Sequence, residues 1–314
     1  MLKSAARNFK KVTKVFYKTS PWFKLLLIAI MLMLFSGIIR RHKRSREGFT
    51  QEKQFIVKDG PILYDDFYVN IYDNLLFNQV KNEYEVGEII NKTTPTKQSL
   101  LLDIGSGTGK HVALFNAKGI PAQGLDLSPA MVDFAKAARP DLEFKVGNAL
   151  DVHLFPYNTF THITCLYFTI YYIQDKTTFF NNCFQWLRPG GYLTIHLVNR
   201  NQFNPILDKA DPLHLISAQR YAEKRITNSL IKFNDLQYKG NFVFDKNNDK
   251  AYFEESFKEE NTQNVRKQTH QLYMPTQRHI LTLAKEVGFI LEAKIDLLAV
   301  QYEYQYLYIL YKPD

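Results

Sequence analysis

The stretch with the clearest chemical potential is Leu-Leu-Leu-Asp-Ile-Gly-Ser-Gly-Thr-Gly, from Leu100 to Gly109. The apolar residues predict a buried strand that ends at Asp103, and three alternating glycines then lead into a predicted helix that begins at Lys110. Glycine lets the backbone pass close to a ligand because it has no Cβ. A helix N-terminus presents free N–H groups to that ligand. The pattern therefore predicts a ligand-binding loop.

A second acidic residue ends the next predicted strand. Asp126 lies 23 residues beyond Asp103, after a short strand that begins at Ala122. In a βαβ unit, an acid about 20 residues past a glycine loop lies against ribose hydroxyls. Ser128 and Pro129 have the types favoured at a helix N-cap and first helical position. The alternative is that Asp126 only caps this helix.

The glycine spacing separates two kinds of cofactor loop. Dinucleotide loops carry G-x-G-x-x-G, whereas the third glycine of this chain is Gly109 and residue 110 is Lys. An acid followed by G-x-G-x-G instead resembles the cofactor loop of class I S-adenosylmethionine-dependent methyltransferases. The resemblance covers roughly two thirds of the chain, from Leu100 to Tyr311, because predicted strands and helices alternate in the order of that family.

The resemblance implies an α/β fold with a Rossmann-like, seven-stranded, mostly parallel sheet whose last strand is antiparallel. The stretch from Trp186 to Leu193, with its Pro-Gly-Gly turn, matches the helix-turn-strand signature of the family. Two residues depart from the usual pattern: Thr161 and Asn148 stand where many relatives carry an acid. They leave open the alternative of a catalytically silent methyltransferase-like binding subunit tethered to a membrane.

The resemblance also implies which residues bind S-adenosylmethionine. Asp126 would hold the ribose, Leu127 would cover the adenine, and Asn148 and Ala149 would meet the edge of the adenine ring. The full predicted set is Asp103, Gly105, Ser106, Gly107, Gly109, Asp126, Leu127, Asn148, Ala149 and Cys165.

The candidate catalytic residues are Tyr72, Tyr172 and His196. Tyr72 lies in residues 62–99, which resemble the N-terminal lid of small-molecule N-methyltransferases, where a tyrosine points toward the methyl donor. Methyl transfer from a sulfonium depends mainly on alignment and exclusion of water, so a general base matters only if the acceptor loses a proton. The candidates for that role are His196, Tyr171, Tyr172 and His270. The alternatives are rings packed on the sheet and, for His196, a hydrogen-bonded core histidine.

Residues 199–274 are too long for a simple connection, and their short β-prone segments predict a small antiparallel sheet over the active site. The predicted organisation is 1–20 basic amphipathic N-terminus, 21–39 transmembrane helix, 40–61 basic stop-transfer segment and linker, 62–99 lid helices, 100–198 and 275–314 cofactor-binding domain, and 199–274 substrate-side insertion.

The first 46 residues contain twelve Lys and Arg and no acid. The net charge of the whole chain is +9, so the net charge of the residues after position 46 is −3. The charge of this larger part therefore gives no indication of nucleic-acid binding. The apolar run at 21–39 is close to the roughly 20 residues that a membrane span requires. It predicts a single-pass anchor with the catalytic domain facing the cytosol, where S-adenosylmethionine is used. The alternative is a mitochondrial presequence and the mitochondrial inner membrane.

The expected activity is transfer of a methyl group from S-adenosylmethionine to a small-molecule, lipid or membrane-associated acceptor. No Asn-Pro-Pro-Tyr motif follows the fourth predicted strand, which argues against methylation of DNA bases. Cys165 and Cys183 are too few and too far apart for a zinc site or a disulfide framework. No metal and no nucleic-acid partner are expected.

Overall fold

The computed structural model describes residues 20–22, 25, 30, 55–59, 63–210, 219, 222–233 and 235–314. The chain divides into two units, Met1–Glu52 and Lys53–Asp314. The predicted basic N-terminus and most of the predicted transmembrane helix at 21–39 lie outside the described residues, although residues 21, 22, 25 and 30 are helical. Within the described part of the chain, no helix is long and apolar enough to cross a membrane.

Helices and strands alternate along most of the described chain. In chain order they are β1 (Phe55–Asp59), α1 (Asp66–Leu76), α2 (Gln79–Thr93), β2 (Leu101–Ile104), α3 (Lys110–Ala117), β3 (Ala122–Asp126), α4 (Pro129–Ala138), β4 (Phe144–Val146), β5 (Phe160–Cys165), α5 (Thr169–Tyr172), α6 (Lys176–Trp186), β6 (Leu187–Val198), β7 (Asn228–Phe233), β8 (Leu236–Asp245), β9 (Lys250–Glu259), β10 (Val265–Tyr273), α7 (Gln277–Val287), β11 (Ile290–Asp296) and β12 (Gln305–Tyr311).

The larger sheet of the described chain has seven strands in the order β11-β12-β6-β5-β2-β3-β4. The adjacent strands β6, β5, β2, β3 and β4 pair in parallel. Strand β12 is antiparallel to both of its neighbours, β6 and β11. This confirms the predicted Rossmann-like, mostly parallel sheet. All four residues of β2 are buried, as expected for a central parallel strand covered on both faces.

The strand order changes direction between β2 and β5. From β2 the chain proceeds outward through β3 and β4, then returns to β5 on the other side. In open α/β sheets, ligands bind in the crevice that such a reversal leaves at the carboxyl ends of the strands. The glycine loop that follows β2 lies at this crevice.

A second sheet of five described strands has the order β1-β10-β9-β8-β7. Strands β7 to β10 come from the predicted insertion and pair antiparallel. Strand β1 pairs in parallel with β10, with Phe55 opposite Val265. The interpretation of residues 40–61 as a linker is therefore wrong for Phe55–Asp59, because this short run supplies backbone partners to an otherwise open sheet edge.

Helix α1 packs against the second sheet and against α4. It begins at an N-cap, Asp65, whose carboxylate accepts from the backbone N–H of Tyr68. Buried apolar residues join the three elements: Tyr68, Val69 and Leu75 of α1, Met131 of α4, and Tyr238 and Phe257 of the sheet. The helix is therefore held between the second sheet and α4.

Candidate active site

The glycine loop lies beneath α1, and we call the region between Gly107, Asp126 and Tyr72 the slot. Gly107 has a φ of 53°, a left-handed conformation that favours glycine. A Cβ built at Gly107 would come no closer than 3.8 Å to any atom, the nearest being Cε1 of Tyr72. By contrast, a Cβ at Gly105 would collide with the side chain of Thr169. The ring of Tyr72 therefore lies over the backbone of Gly107, and Thr169 of α5 lies against Gly105.

Asp126 lies at the edge of this slot. Its Oδ2 accepts from the backbone N–H of Gly107 at 2.8 Å, and its Oδ1 accepts from that of Ser128 at 2.9 Å. Burial raises the pKa of Asp126, and these backbone N–H groups act in the opposite direction. Ser128, whose Oγ accepts from the N–H of Met131, is the helix N-cap. The N-cap of α4 is therefore Ser128 and not Asp126.

Asp103 is the buried carboxylate at the end of β2. It is 2 % exposed, and its Oδ1 accepts from Oγ1 of Thr164 at 2.7 Å. Burial raises the pKa of Asp103 to about 6. A cationic group beside this carboxylate would favour its charged form.

The other predicted cofactor residues lie in three different environments. Leu127 and Asn148 are exposed at the carboxyl ends of β3 and β4, and Oδ1 of Asn148 accepts from a backbone N–H two residues along the chain. Ala149 is buried beside them, and Ser106 is buried beneath the loop. Cys165 is fully buried in the core cluster, and this burial raises the pKa of its thiol.

Helix α1 is tied to the glycine loop. Asp73 accepts a hydrogen bond from Oγ1 of Thr108 at 2.7 Å and forms an ion pair with Nζ of Lys110 at 3.0 Å. Tyr72, one residue earlier, lies over Gly107. Burial raises the pKa of Tyr72, which keeps its phenol neutral. The structure therefore brings this predicted residue to the slot.

Tyr172 is the last residue of α5. The residue is 37 % exposed, and its ring stands edge-on to the ring of Tyr64, with centroids 6.1 Å apart. Its hydroxyl is hydrogen-bonded to Nδ1 of His270 at 2.8 Å. Two residues that the sequence put forward separately as candidate bases are thus in direct contact.

His196 lies in the core of the larger sheet rather than at the slot. It is fully buried on β6, and its Nδ1 is 2.5 Å from the carbonyl oxygen of Tyr167. Burial lowers the pKa of His196 to about 4, so its imidazole is neutral at ordinary pH. This position favours the alternative of a core histidine.

A buried charged cluster, which sequence reasoning did not find, lies next to His196. Nζ of Lys81 is 2.8 Å from Oε1 of Glu85, and Nε2 of His111 is 3.1 Å from Oε2 of Glu85. The Lys81 ammonium also lies over the rings of Tyr167 and Tyr302. Burial would raise the pKa of Glu85, but Lys81 and His111 together lower it to about 2.

A surface depression at the edge strand β4, lined by Gln123, Glu143 and Lys145 among others, is separate from the glycine loop. The loop and its carboxylates, rather than this depression, define the candidate site.

Comparison with known proteins identifies the part of the chain that carries the glycine loop. Residues 102–195 match a protein-family model described as a methyltransferase domain. Residues 102–195 form a methyltransferase domain. Its cofactor is S-adenosylmethionine, in agreement with the prediction from the loop.

Two curated relatives align with this region. The dTDP-4-amino-2,3,4,6-tetradeoxy-D-glucose N,N-dimethyltransferase of Saccharopolyspora spinosa is 35% identical over 114 residues, which cover 35% of this chain and 45% of the relative. Erythromycin 3''-O-methyltransferase of Saccharopolyspora erythraea is 36% identical over 103 residues, which cover 30% of this chain and 33% of the relative. The chain spans less than half the length of these two relatives, both of which are named for small-molecule methylation.

The fold itself is similar to that of solved methyltransferases. An S-adenosylmethionine-dependent methyltransferase from Clostridium acetobutylicum superposes with a TM-score of 0.60 at 15% sequence identity. The match covers 79% of this chain and 99% of that protein. It therefore includes much of the chain beyond the methyltransferase domain.

Proposed function

We propose that this protein transfers a methyl group from S-adenosylmethionine to a small-molecule, lipid or membrane-associated acceptor. The observation that carries the proposal is the slot above Gly107, with Asp126 at its edge and Tyr72 over it. When bound, S-adenosylmethionine supplies an electrophilic methyl group on a sulfonium sulfur. The residues of the chain then have to hold this cofactor, exclude water and orient the acceptor.

The residues at the slot fit the parts of the cofactor. A carboxylate has about four acceptor positions. The backbone N–H groups of Gly107, Leu127 and Ser128 use three of those of Asp126, which leaves a position for a ribose hydroxyl. Leu127 offers an exposed apolar side chain to the adenine. Asp103, whose pKa burial raises, suits the cationic amino group of the methionine part.

The acceptor side of the slot is aromatic. The rings of Tyr64, Tyr68 and Tyr72 meet edge to face, with centroids 5.4 to 6.3 Å apart, and Tyr64 also meets Tyr172. Aromatic faces attract cations, so this wall suits the sulfonium and an amine-bearing acceptor alike. The names of the two curated relatives, one an N- and one an O-methyltransferase, support a small-molecule acceptor.

We also propose that residues 21–39 anchor the protein in a membrane, with the catalytic domain facing the cytosol. Support comes from the apolar run and its basic flanks, and from the exposed apolar side chains of Trp22, Leu25 and Ile30. The full chain should then stay with membranes through alkaline carbonate washing, and Ile30→Arg should weaken this retention. Release of the unaltered chain by the wash would refute the anchor.

Replacement of Asp126 with alanine is expected to weaken S-adenosylmethionine binding about 10- to 100-fold. The change removes hydrogen bonds from a half-buried carboxylate, each worth roughly 1–3 kcal/mol. Calorimetric titration of the full-length protein measures the effect. Asp133→Ala is a matched control, because Asp133 is an exposed carboxylate on α4. Equal affinities in the Asp126 and Asp133 variants would show that the ribose site is misplaced.

Methyl transfer is tested with S-adenosylmethionine labelled on its methyl group. The acceptors are a nucleotide-linked amino sugar, a primary amine, a phenol and phosphatidylethanolamine vesicles, and label in the product is counted. We expect label in at least one of them. If a polar metabolite is methylated equally well with and without vesicles, the membrane-associated acceptor is excluded while the transferase activity stands.

A further inference from the structure

A chain of three polar side chains leads from the slot into the inserted sheet. The hydroxyl of Tyr172 is 2.8 Å from Nδ1 of His270, and Nε2 of His270 is 2.7 Å from Oε2 of Glu255. Tyr172 is 37 % exposed as a residue, whereas His270 and Glu255 are 1 % and 3 % exposed. Tyr172 is therefore the less buried end of this chain, and the inner end is dry.

The hydrogen bonds at Glu255 assign the protons along the chain. Its Oε1 accepts from the hydroxyls of Tyr68 and Tyr238 at 3.1 and 2.9 Å, and its Oε2 accepts from Nε2 of Gln268 and of His270. An ionised carboxylate is an acceptor only. With Glu255 in the ionised form, Nε2 of His270 is the donor in this contact, and Nδ1 presents a lone pair to the hydroxyl of Tyr172.

The surroundings of His270 hold this arrangement in place. Aromatic rings of Tyr64, Tyr68 and Phe253 surround the imidazole, with centroids 5.7 to 6.0 Å away. Among described side chains, Glu255 is the charged group bonded to it. The neighbouring cation Arg266 is engaged elsewhere, with Oε1 of Gln268 and with the carboxylate of Asp65.

The open end of the chain lies beside the cofactor loop. Tyr172 ends α5, whose first residue, Thr169, packs against Gly105. On its other side Tyr172 meets Tyr64, and Tyr64 meets Tyr72, which covers Gly107. An acceptor placed against the methyl donor would therefore lie within reach of the hydroxyl of Tyr172.

We propose that Tyr172, His270 and Glu255 form a proton relay, and that the acceptor is consequently an N–H or O–H nucleophile. The proposal rests on the proposed methyltransferase function. A thioether or a tertiary amine carries no proton to remove and would gain nothing from such a relay.

The step balances without a further reactant. The acceptor nitrogen or oxygen forms a bond to the methyl carbon, and the carbon–sulfur bond breaks with its electron pair remaining on sulfur. The acceptor proton passes to the oxygen of Tyr172, whose own proton passes to Nδ1 of His270. The imidazolium is stabilised by the carboxylate of Glu255, and its proton returns to water through Tyr172 when the product leaves. Tyr172 is thus a catalytic residue, and His270 and Glu255 are positioning residues that act through it.

The first test is nitrogen-15 NMR of the full-length protein labelled at histidine, with the signal of His270 identified by its loss in His270→Gln. The relay requires an unprotonated Nδ1 and a protonated Nε2 near neutral pH, and a tautomer shift in Glu255→Gln. A proton on Nδ1 from pH 6 to 9 would overturn the proposal, because the imidazole would then have no site to receive one.

The second test compares methyl transfer from labelled S-adenosylmethionine to tyramine, which is protic, and to dimethyl sulfide, which is not. Tyr172→Phe should lower kcat for tyramine about 100-fold or more, with KM nearly unchanged. Glu255→Gln should move the acidic limb of the pH profile to lower pH, a change that a structural role would not produce. His279→Gln is the control, because His279 is exposed on α7.

Calorimetric binding of S-adenosylmethionine by every variant separates the two proposals. If the unaltered protein does not bind it, the proposed function fails. If all variants bind it but Tyr172→Phe transfers methyl groups at the original rate, or dimethyl sulfide is the preferred acceptor, the relay alone fails.

Discussion

Replacement of Glu85 with glutamine is expected to lower the free energy of unfolding by about 3–5 kcal/mol. Glu85 is fully buried, and its partner Lys81 is 3 % exposed. Removal of one member of a buried ion pair leaves the other charge without compensation in a medium that solvates it poorly. The rings of Tyr167 and Tyr302 remain beside the ammonium, but they replace only a small part of the lost attraction.

Chemical denaturation of the full-length variant measures this loss. Glu83→Gln is the matched control, since Glu83 is exposed on the same helix, where its Oε1 accepts from Nε2 of Gln79. The double variant Lys81→Met with Glu85→Gln should recover part of the loss, because it removes both charges. A change below about 1 kcal/mol in Glu85→Gln would mean that water reaches the pair.

Acidification from pH 7 to pH 5 is expected to lower the free energy of unfolding of the ligand-free protein by about 2–3 kcal/mol. Burial lowers the pKa of His162 and of His196 to about 4, against about 6.5 in an unfolded chain. The unfolded state therefore binds more protons in this range. As the pH falls from about 6.5 toward 4, each histidine lowers the free energy of unfolding by about 2 kcal/mol.

Asp103 acts in the opposite direction over the same interval. Burial raises its pKa to about 6, so the folded state binds this proton more readily and gains about 1 kcal/mol on acidification. Denaturant titrations at several pH values measure the sum. His162→Gln and His196→Gln should each flatten the profile, whatever they do to stability at pH 7. A profile that is flat in the unaltered protein would contradict the assignment of two neutral buried histidines.

The larger sheet was predictable because its signals are local. Strand β2 is a run of apolar residues that includes Asp103 and precedes a glycine turn. Pro129 is the first residue of α4, a position that favours proline. Strand β1 was not predictable in the same way. Its five residues pair with β10, about 200 positions away, and a run this short cannot be told from a linker by periodicity.

The cofactor side of the site was predictable to a similar extent. Gly107 and Asp126 meet at the slot, but Cys165, placed there by resemblance, lies in the core. Thr161, the departure that favoured a silent subunit, bonds through Oγ1 to the backbone of Leu100 at the start of β2. Because that is the opposite end of the strands from the loop, the substitution does not affect the site.

The acceptor side could not be predicted from the sequence. Glu255 lies among polar and aromatic residues in a strand that alternates between two faces, and only the packing of α1 against the sheet shows that it is buried. Its partners Tyr68 and His270 come from opposite ends of the chain. A short polar pattern gives no indication of which strand face a helix will cover.

Calorimetric titration of S-adenosylmethionine into the full-length protein tests the cofactor site directly. We expect saturable, micromolar binding of one molecule per chain, with competition by S-adenosylhomocysteine. A folded protein that shows no binding would contradict the assignment of the slot between Gly107, Asp126 and Tyr72 as a working cofactor site.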